Sequence, residues 1–116
     1  MNGTTNEKAH FPEALAKEIG AVVEMAQKNT PILKVILFGS FAYGYPNTDS
    51  DIDLCFITAD SRSELELMQA YRKQLTDKIG RPLDILVYTP EKFAWRAESV
   101  STIEKTILSR GITVYG

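Results

Sequence analysis

Val35-Ile-Leu-Phe-Gly-Ser-Phe-Ala-Tyr-Gly-Tyr-Pro-Asn-Thr-Asp-Ser-Asp-Ile-Asp-Leu-Cys-Phe56 is the stretch whose reading decides the fold. The apolar run Val35 to Phe38 is broken by Gly39-Ser40, a Gly/Pro/Asn-rich connection follows, and Asp51-Ile52-Asp53 opens a second apolar run. Carboxylates inside apolar sequence need an explanation, because burying an ionised carboxylate is expensive unless a partner offsets it. Asp51 and Asp53, at i and i+2, share one face of a strand, and a divalent cation is the natural partner. Gly39 lets the backbone pass close to another group, and Ser40 offers a hydroxyl and a backbone N–H to an anion if a helix starts there. A metal pair beside an anion cradle suggests a nucleotide phosphate.

Upstream, Ile32 to Phe38 is β-branched and leucine-rich and apolar on both faces, as a strand covered on both sides is. A helix is expected before it: Phe11-Pro12-Glu13 suits a helix start, Leu15, Ile19, Val22, Val23 and Ala26 recur at helical spacing, and Asn29-Thr30-Pro31 ends it. Residues 1–10 are polar and unpatterned and read as a flexible tail, with 11–116 as one domain. His10 is placed near the helix start rather than in a site.

Downstream, Ser40 to Tyr43 is expected to form a helical turn ending at Gly44, and Tyr45-Pro46-Asn47-Thr48 a loop shaped also by Asp49 and Ser50. Asp51 to Thr58 is the second strand, with Asp51, Asp53, Cys55 and Ile57 on one face. Ser61-Arg62-Ser63-Glu64 has capping-box spacing, and Leu65, Met68, Leu75 and Ile79, helped by Leu67 and Tyr71, predict a long amphipathic helix ending at Gly80. Leu83 to Tyr88 is a third strand, carrying Asp84 in an otherwise apolar first half. Thr89-Pro90-Glu91 caps a short helix through about Trp95, and Ser101-Thr102-Ile103-Glu104 caps a last one from Ile103 to Arg110, closed by Gly111. Ile112 to Tyr115 is expected to add a short edge strand. This alternation gives an α/β or α+β sheet with helical cover.

With 116 residues, 44% of them hydrophobic and 24% charged, the chain has room for one core and one activity. No apolar run approaches the roughly 20 residues that span a bilayer, and Met1 to Lys8 lacks the apolar core of a signal peptide, so a cytoplasmic location is expected. The single cysteine, Cys55, reads as a small buried hydrophobe. A net charge of −2 argues against a long nucleic-acid footprint.

Asp51, Asp53 and Asp84 together suit two magnesium ions, the first pair bridging both and the third acid helping to bind the ion that activates an attacking hydroxyl. The chemistry implied is nucleotidyl transfer: an acceptor hydroxyl attacks the α-phosphate of a nucleoside triphosphate and pyrophosphate leaves, while Ser40 and backbone N–H groups hold the outer phosphates. Other motifs fail. An EF-hand starting at Asp49 needs Gly and Glu where Leu54 and Asp60 stand. Gly39-Ser-Phe-Ala-Tyr-Gly44 supplies neither a Walker loop nor a dinucleotide fingerprint.

Gly39-Ser40, ten residues, then Asp51-Ile52-Asp53-Leu54, with a later strand Asp84, resembles the signature of the polymerase-β-like nucleotidyltransferases, specifically the minimal nucleotidyltransferase (MNT) domains of MntA-type antitoxins. The likeness is clearest over residues 30 to 90, and the closing Gly111-Ile-Thr-Val-Tyr115 is also similar. It implies an α+β fold with a mixed sheet flanked by helices, two Mg²⁺ ions on Asp51, Asp53 and Asp84, and ATP or another triphosphate at Gly39 and Ser40. It also implies an antitoxin paired with an all-helical HEPN (higher eukaryote and prokaryote nucleotide-binding) toxin, with transfer of AMP to a tyrosine of that toxin. Homo- or hetero-oligomers are both compatible with it. The alternatives are a weakly active or inactive domain that neutralises its partner by binding alone, or a small-molecule nucleotidyltransferase, for whose usual extra helical domain the chain has no room. One departure stands out: the resemblance calls for arginines where this chain has Phe41 and Tyr43, and Lys34 and Arg81 are the candidates to replace their charge.

Overall fold

The computed structural model describes residues 13–28, 30–44, 51–75, 82–99 and 102–116. Expectations for residues 1–10 and for Phe11, Pro12, Asn29, the 45–50 loop, Ile79, Gly80, Arg81 and Ser101 fall outside the described residues. The elements follow the order α1 (Glu13–Gln27), β1 (Ile32–Phe38), α2 (Ser40–Tyr43), β2 (Ile52–Thr58), α3 (Glu64–Leu75), β3 (Leu83–Tyr88), α4 (Pro90–Ala97), α5 (Ile103–Arg110) and β4 (Ile112–Tyr115).

The strands form one mixed sheet in the order β3-β2-β1-β4. β1 pairs antiparallel with both β2 and β4, whereas β2 and β3 are parallel. A parallel pair needs a crossover, and α3 supplies it. β4 is an edge strand, as expected from Ile112 to Tyr115.

Alternation along the strands sends residues to two cores. Val35, Leu37, Ile52, Leu54, Phe56, Leu83, Ile85 and Val87 bury against α1 and α3, where Leu15, Ile19, Val22, Val23 and Ala26 all lie in the core. Phe56 meets Tyr71 edge-on, with ring centroids 5.0 Å apart. On the opposite face Ile36, Phe38, Cys55, Ile57 and Tyr88 pack with Phe93 of α4 and Ile107 of α5. Cys55 is a buried free thiol, and burial pushes its pKa up to about 12.

Two helix starts differ from the sequence expectation. In α3 the capping box is Ser63 with Glu66, not Ser61 with Glu64: Glu66 N–H donates to Ser63 Oγ at 3.1 Å, and Ser63 N–H donates to Glu66 Oε1 at 3.2 Å. The buried stripe is accordingly Leu67, Tyr71 and Leu75, while Leu65 is 64% exposed. In α5 the cap is Thr102, whose hydroxyl accepts from Lys105 N–H at 3.1 Å. Glu104 turns to the interior. It is 4% exposed and accepts a hydrogen bond from Tyr88 OH, with Arg96 Nη1 at 4.0 Å. The α4 cap is as expected: Thr89 Oγ1 accepts from Lys92 N–H at 3.3 Å, and the helix runs past Trp95 to Ala97. Among the described residues no helix is long and apolar enough to cross a membrane.

Candidate active site

The parallel β2–β3 pairing sets Asp53 opposite Asp84, and the antiparallel β1–β2 pairing sets Asp53 opposite Phe38, the residue before Gly39. Three chain segments therefore meet at one end of the sheet. Gly39 has φ +78° and ψ −158°, a backbone state that side-chain-bearing residues rarely adopt. A Cβ placed there would lie 2.0 Å from Asp53 Oδ2. The glycine is required twice over, by its dihedrals and by the carboxylate seated against it. α2 begins at once, and Gly44, at φ +95°, ends it by donating its N–H to Ser40 O at 3.1 Å.

The electrostatics of this corner are those of crowded acids. Asp53 is pushed up to about 7, first by desolvation and then by the neighbouring charge of Asp84, a hydrogen bond shared with Asp84, and the charge of Asp51. Asp84 is the exposed partner of the pair, and Asp51 is half-buried just before β2.

A cleft of about 470 Å³ opens beside the pair, lined by Gly39, Tyr43, Asp53 and Asp84 on the polar side and by Phe38, Met68, Ile85, Leu86 and Ile103 on the apolar side, with Arg72 and Thr106. Ser40 is half-buried next to Gly39 and outside that lining, as is Asp51. Lys34 is elsewhere: it pairs with Ile57 toward the other end of β1, beside a separate apolar hollow. A groove of about 500 Å³ between α1 and β4 is lined by apolar and neutral residues apart from Glu24, and none of the site acids borders it.

The donor set suits a hard cation. Asp53 and Asp84 are hard oxygen donors held in contact, and a bound cation would offset both the desolvation of Asp53 and the like charge of Asp84 that raise its pKa. Among the described residues no three His, Cys, Asp or Glu side chains already stand together at metal-holding distance. The described protein thus brings Asp53, Asp84 and Gly39 together, and Asp51, outside the cleft lining, acts on Asp53 through its charge.

Sequence reasoning missed Arg72, Arg110 and the apolar wall. Arg72 lies in the last turn of α3 and Arg110 in the last turn of α5, with its guanidinium carbon 4.6 Å from the centroid of the Tyr43 ring. A basic residue in a last turn reads in sequence as a partner for the helix dipole. The signal that points further is topological: both helices feed strands, β3 and β4, that join the sheet at this site.

Residues 21–115 match the family model described as "Polymerase beta, Nucleotidyltransferase". Among curated proteins none matches the chain significantly. Similar solved structures include a proposed nucleotidyltransferase from Sulfolobus solfataricus, 20% identical with a TM-score of 0.55 over 71% of this chain and 73% of that one. A toxin–antitoxin complex with AMP-PNP is 23% identical with a TM-score of 0.54, over 87% and 73% of the two chains. A tyrosine-to-alanine variant of the toxin–antitoxin MntA–HpeT is 22% identical with a TM-score of 0.52, over 84% and 72%. At such identities the structures speak to the fold alone, which they share as a mixed sheet flanked by helices. The family match takes in every strand of the sheet and every residue that lines the cleft, so the chain belongs to the polymerase-β nucleotidyltransferase family.

Proposed function

We propose that this protein transfers AMP from ATP to a hydroxyl acceptor in a Mg²⁺-dependent reaction, and that the acceptor is a tyrosine of a HEPN toxin that it neutralises in the cytoplasm. The observation that carries the reading is the Asp53–Asp84 contact beside Gly39, where two acids far apart in sequence share one register position on neighbouring strands. The toxin–antitoxin complex with AMP-PNP, similar in fold, supports the choice of adenine nucleotide and of partner.

Asp53 and Asp84, with Asp51 beside them, would hold two Mg²⁺ ions. Bound there, the ions supply charge stabilisation to the attacking and leaving oxygens of an in-line displacement at phosphorus. The chain's own part is to position and to handle the proton. The apolar wall of Met68, Ile85, Leu86 and Ile103 takes the base and excludes water, and Gly39 and Ser40 hold the phosphate tail at the turn. The acceptor oxygen forms a bond to the α-phosphorus as the bond to the β-phosphate oxygen breaks, releasing pyrophosphate. The acceptor proton passes to a carboxylate oxygen of Asp84, the solvent-exposed member of the pair.

The experiment is incubation of the protein with Mg²⁺, ATP labelled at the α-phosphate and a HEPN partner. Label is expected on a partner tyrosine, and Asp53→Asn, Asp51→Asn and removal of that tyrosine's hydroxyl are each expected to abolish it. Neutralisation of the toxin that survives both aspartate changes without label transfer would overturn the enzymatic reading in favour of binding alone.

A further inference from the structure

A triphosphate cannot settle beside paired carboxylates on metal alone without repulsion from whatever acid charge the metal leaves unbalanced, so the cleft needs fixed cations. Among the described residues Arg72 is the one cationic residue in its lining. Its position follows from the crossover. α3 leaves the carboxyl end of β2 and returns the chain to the amino end of β3, where Leu83 and Asp84 pair with Ile52 and Asp53, so the last turn of α3 belongs to the acid end of the sheet. Arg110 reaches the same end by another route. It closes α5 two residues before Ile112, which pairs with Leu37, one residue from Phe38 and two from Gly39. There its guanidinium stacks over Tyr43, itself part of the cleft wall.

We propose that Arg72 and Arg110 grip the outer phosphates of the bound nucleotide, from two different helices that end beside the Asp53–Asp84 pair, with Tyr43 as the platform that positions Arg110. The proposal deepens the nucleotidyl-transfer reading and rests on it. It accounts for a turn, Gly39 to Gly44, that carries no cation of its own: Tyr43 holds an arginine from α5 by its ring instead of contributing one. Helix-dipole pairing alone would explain two last-turn arginines anywhere on the surface, but not their arrival from separate elements at the one corner that holds the acids.

The test compares the affinities of α,β-methylene ATP and AMP in Mg²⁺ for the wild type, Arg72→Met, Arg110→Met, the double variant, Tyr43→Phe and Tyr43→Ala. Each arginine loss is expected to weaken the triphosphate analogue about tenfold, the worth of one charge-assisted hydrogen bond, and to leave AMP nearly unchanged. Tyr43→Phe keeps the ring and is expected to keep the triphosphate preference, whereas Tyr43→Ala is expected to weaken it as Arg110→Met does. Should Arg72→Met fail to fold, Arg72→Lys and Arg110→Met carry the same comparison. A double variant whose preference for triphosphate over AMP is unaltered, or one that loses both ligands equally, overturns the proposal alone. A wild type that binds neither nucleotide overturns the transfer reading and this proposal with it.

Discussion

At the scale of single residues, Asp53 and Gly39 define each other. The carboxyl that ordinarily titrates near 3.8 is pushed up to about 7, so between those values the folded chain holds a proton that the unfolded chain has released. The stability this group contributes is therefore complete below the lower value and is lost as pH rises through the upper one. With metal chelated, the protein is expected to melt at a lower temperature at about pH 8 than at about pH 6, and Asp53→Asn to shrink that difference. Adding Mg²⁺ at the higher pH is expected to raise the wild-type melting temperature and to leave the variant's nearly unchanged, a comparison that calorimetry reads directly. The glycines give a second contrast. Gly39→Ala forces a side chain into positive φ and onto Asp53 Oδ2, and a loss of about 1–3 kcal/mol is expected in urea denaturation. Gly20→Ala, exposed inside α1 with nothing within 4 Å of the new Cβ, is expected to gain about 0.5–1 kcal/mol. The sequence shows that both are glycines; only the backbone dihedral and the neighbouring carboxylate tell them apart.

At the scale of elements, the strands and the core-facing stripe of α1 were legible, and the phase of α3 was not. Val35 to Phe38 and Ile52 to Thr58 are too apolar and too β-branched to be anything but covered strands, and the acids at their ends stand out against that background. Helix α3 is different. Apolar residues at 65, 67, 68, 71 and 75 allow two stripes, and Ser61 and Ser63 each have a glutamate three residues on. Local rules alone leave both pairings open. The sheet face that α3 must cover selects Leu67, Tyr71 and Leu75, and that phase makes Ser63 the cap. Ser63→Ala is accordingly expected to lower stability by about 1 kcal/mol and Ser61→Ala to change it by a few tenths at most, as thermal melts of the two variants would show.

At the scale of the whole molecule, one sheet with two covered faces places its polar features by register. On the face under α4 and α5, Tyr88 donates to Glu104 and so ties the end of β3 to the helix whose Ile103 and Thr106 border the cleft. Tyr88→Phe leaves a buried carboxylate without that donor, and a loss of about 1–3 kcal/mol is expected in chemical denaturation. The glutamate reads in sequence as part of a helix cap, because nothing local reveals that a tyrosine sixteen residues earlier lies against it. By itself the sequence determined the strands, the glycine turn, the acids worth watching and the kinship those residues carry, since each rests on local composition and spacing. Only the tertiary structure decided that Asp84 touches Asp53, that Asp51 stands outside the cleft lining, and that Arg72 and Arg110 reach the corner while Lys34 does not. Those pairings depend on strand register and on the crossover through α3, and such long-range geometry is settled by how the two faces of the sheet pack.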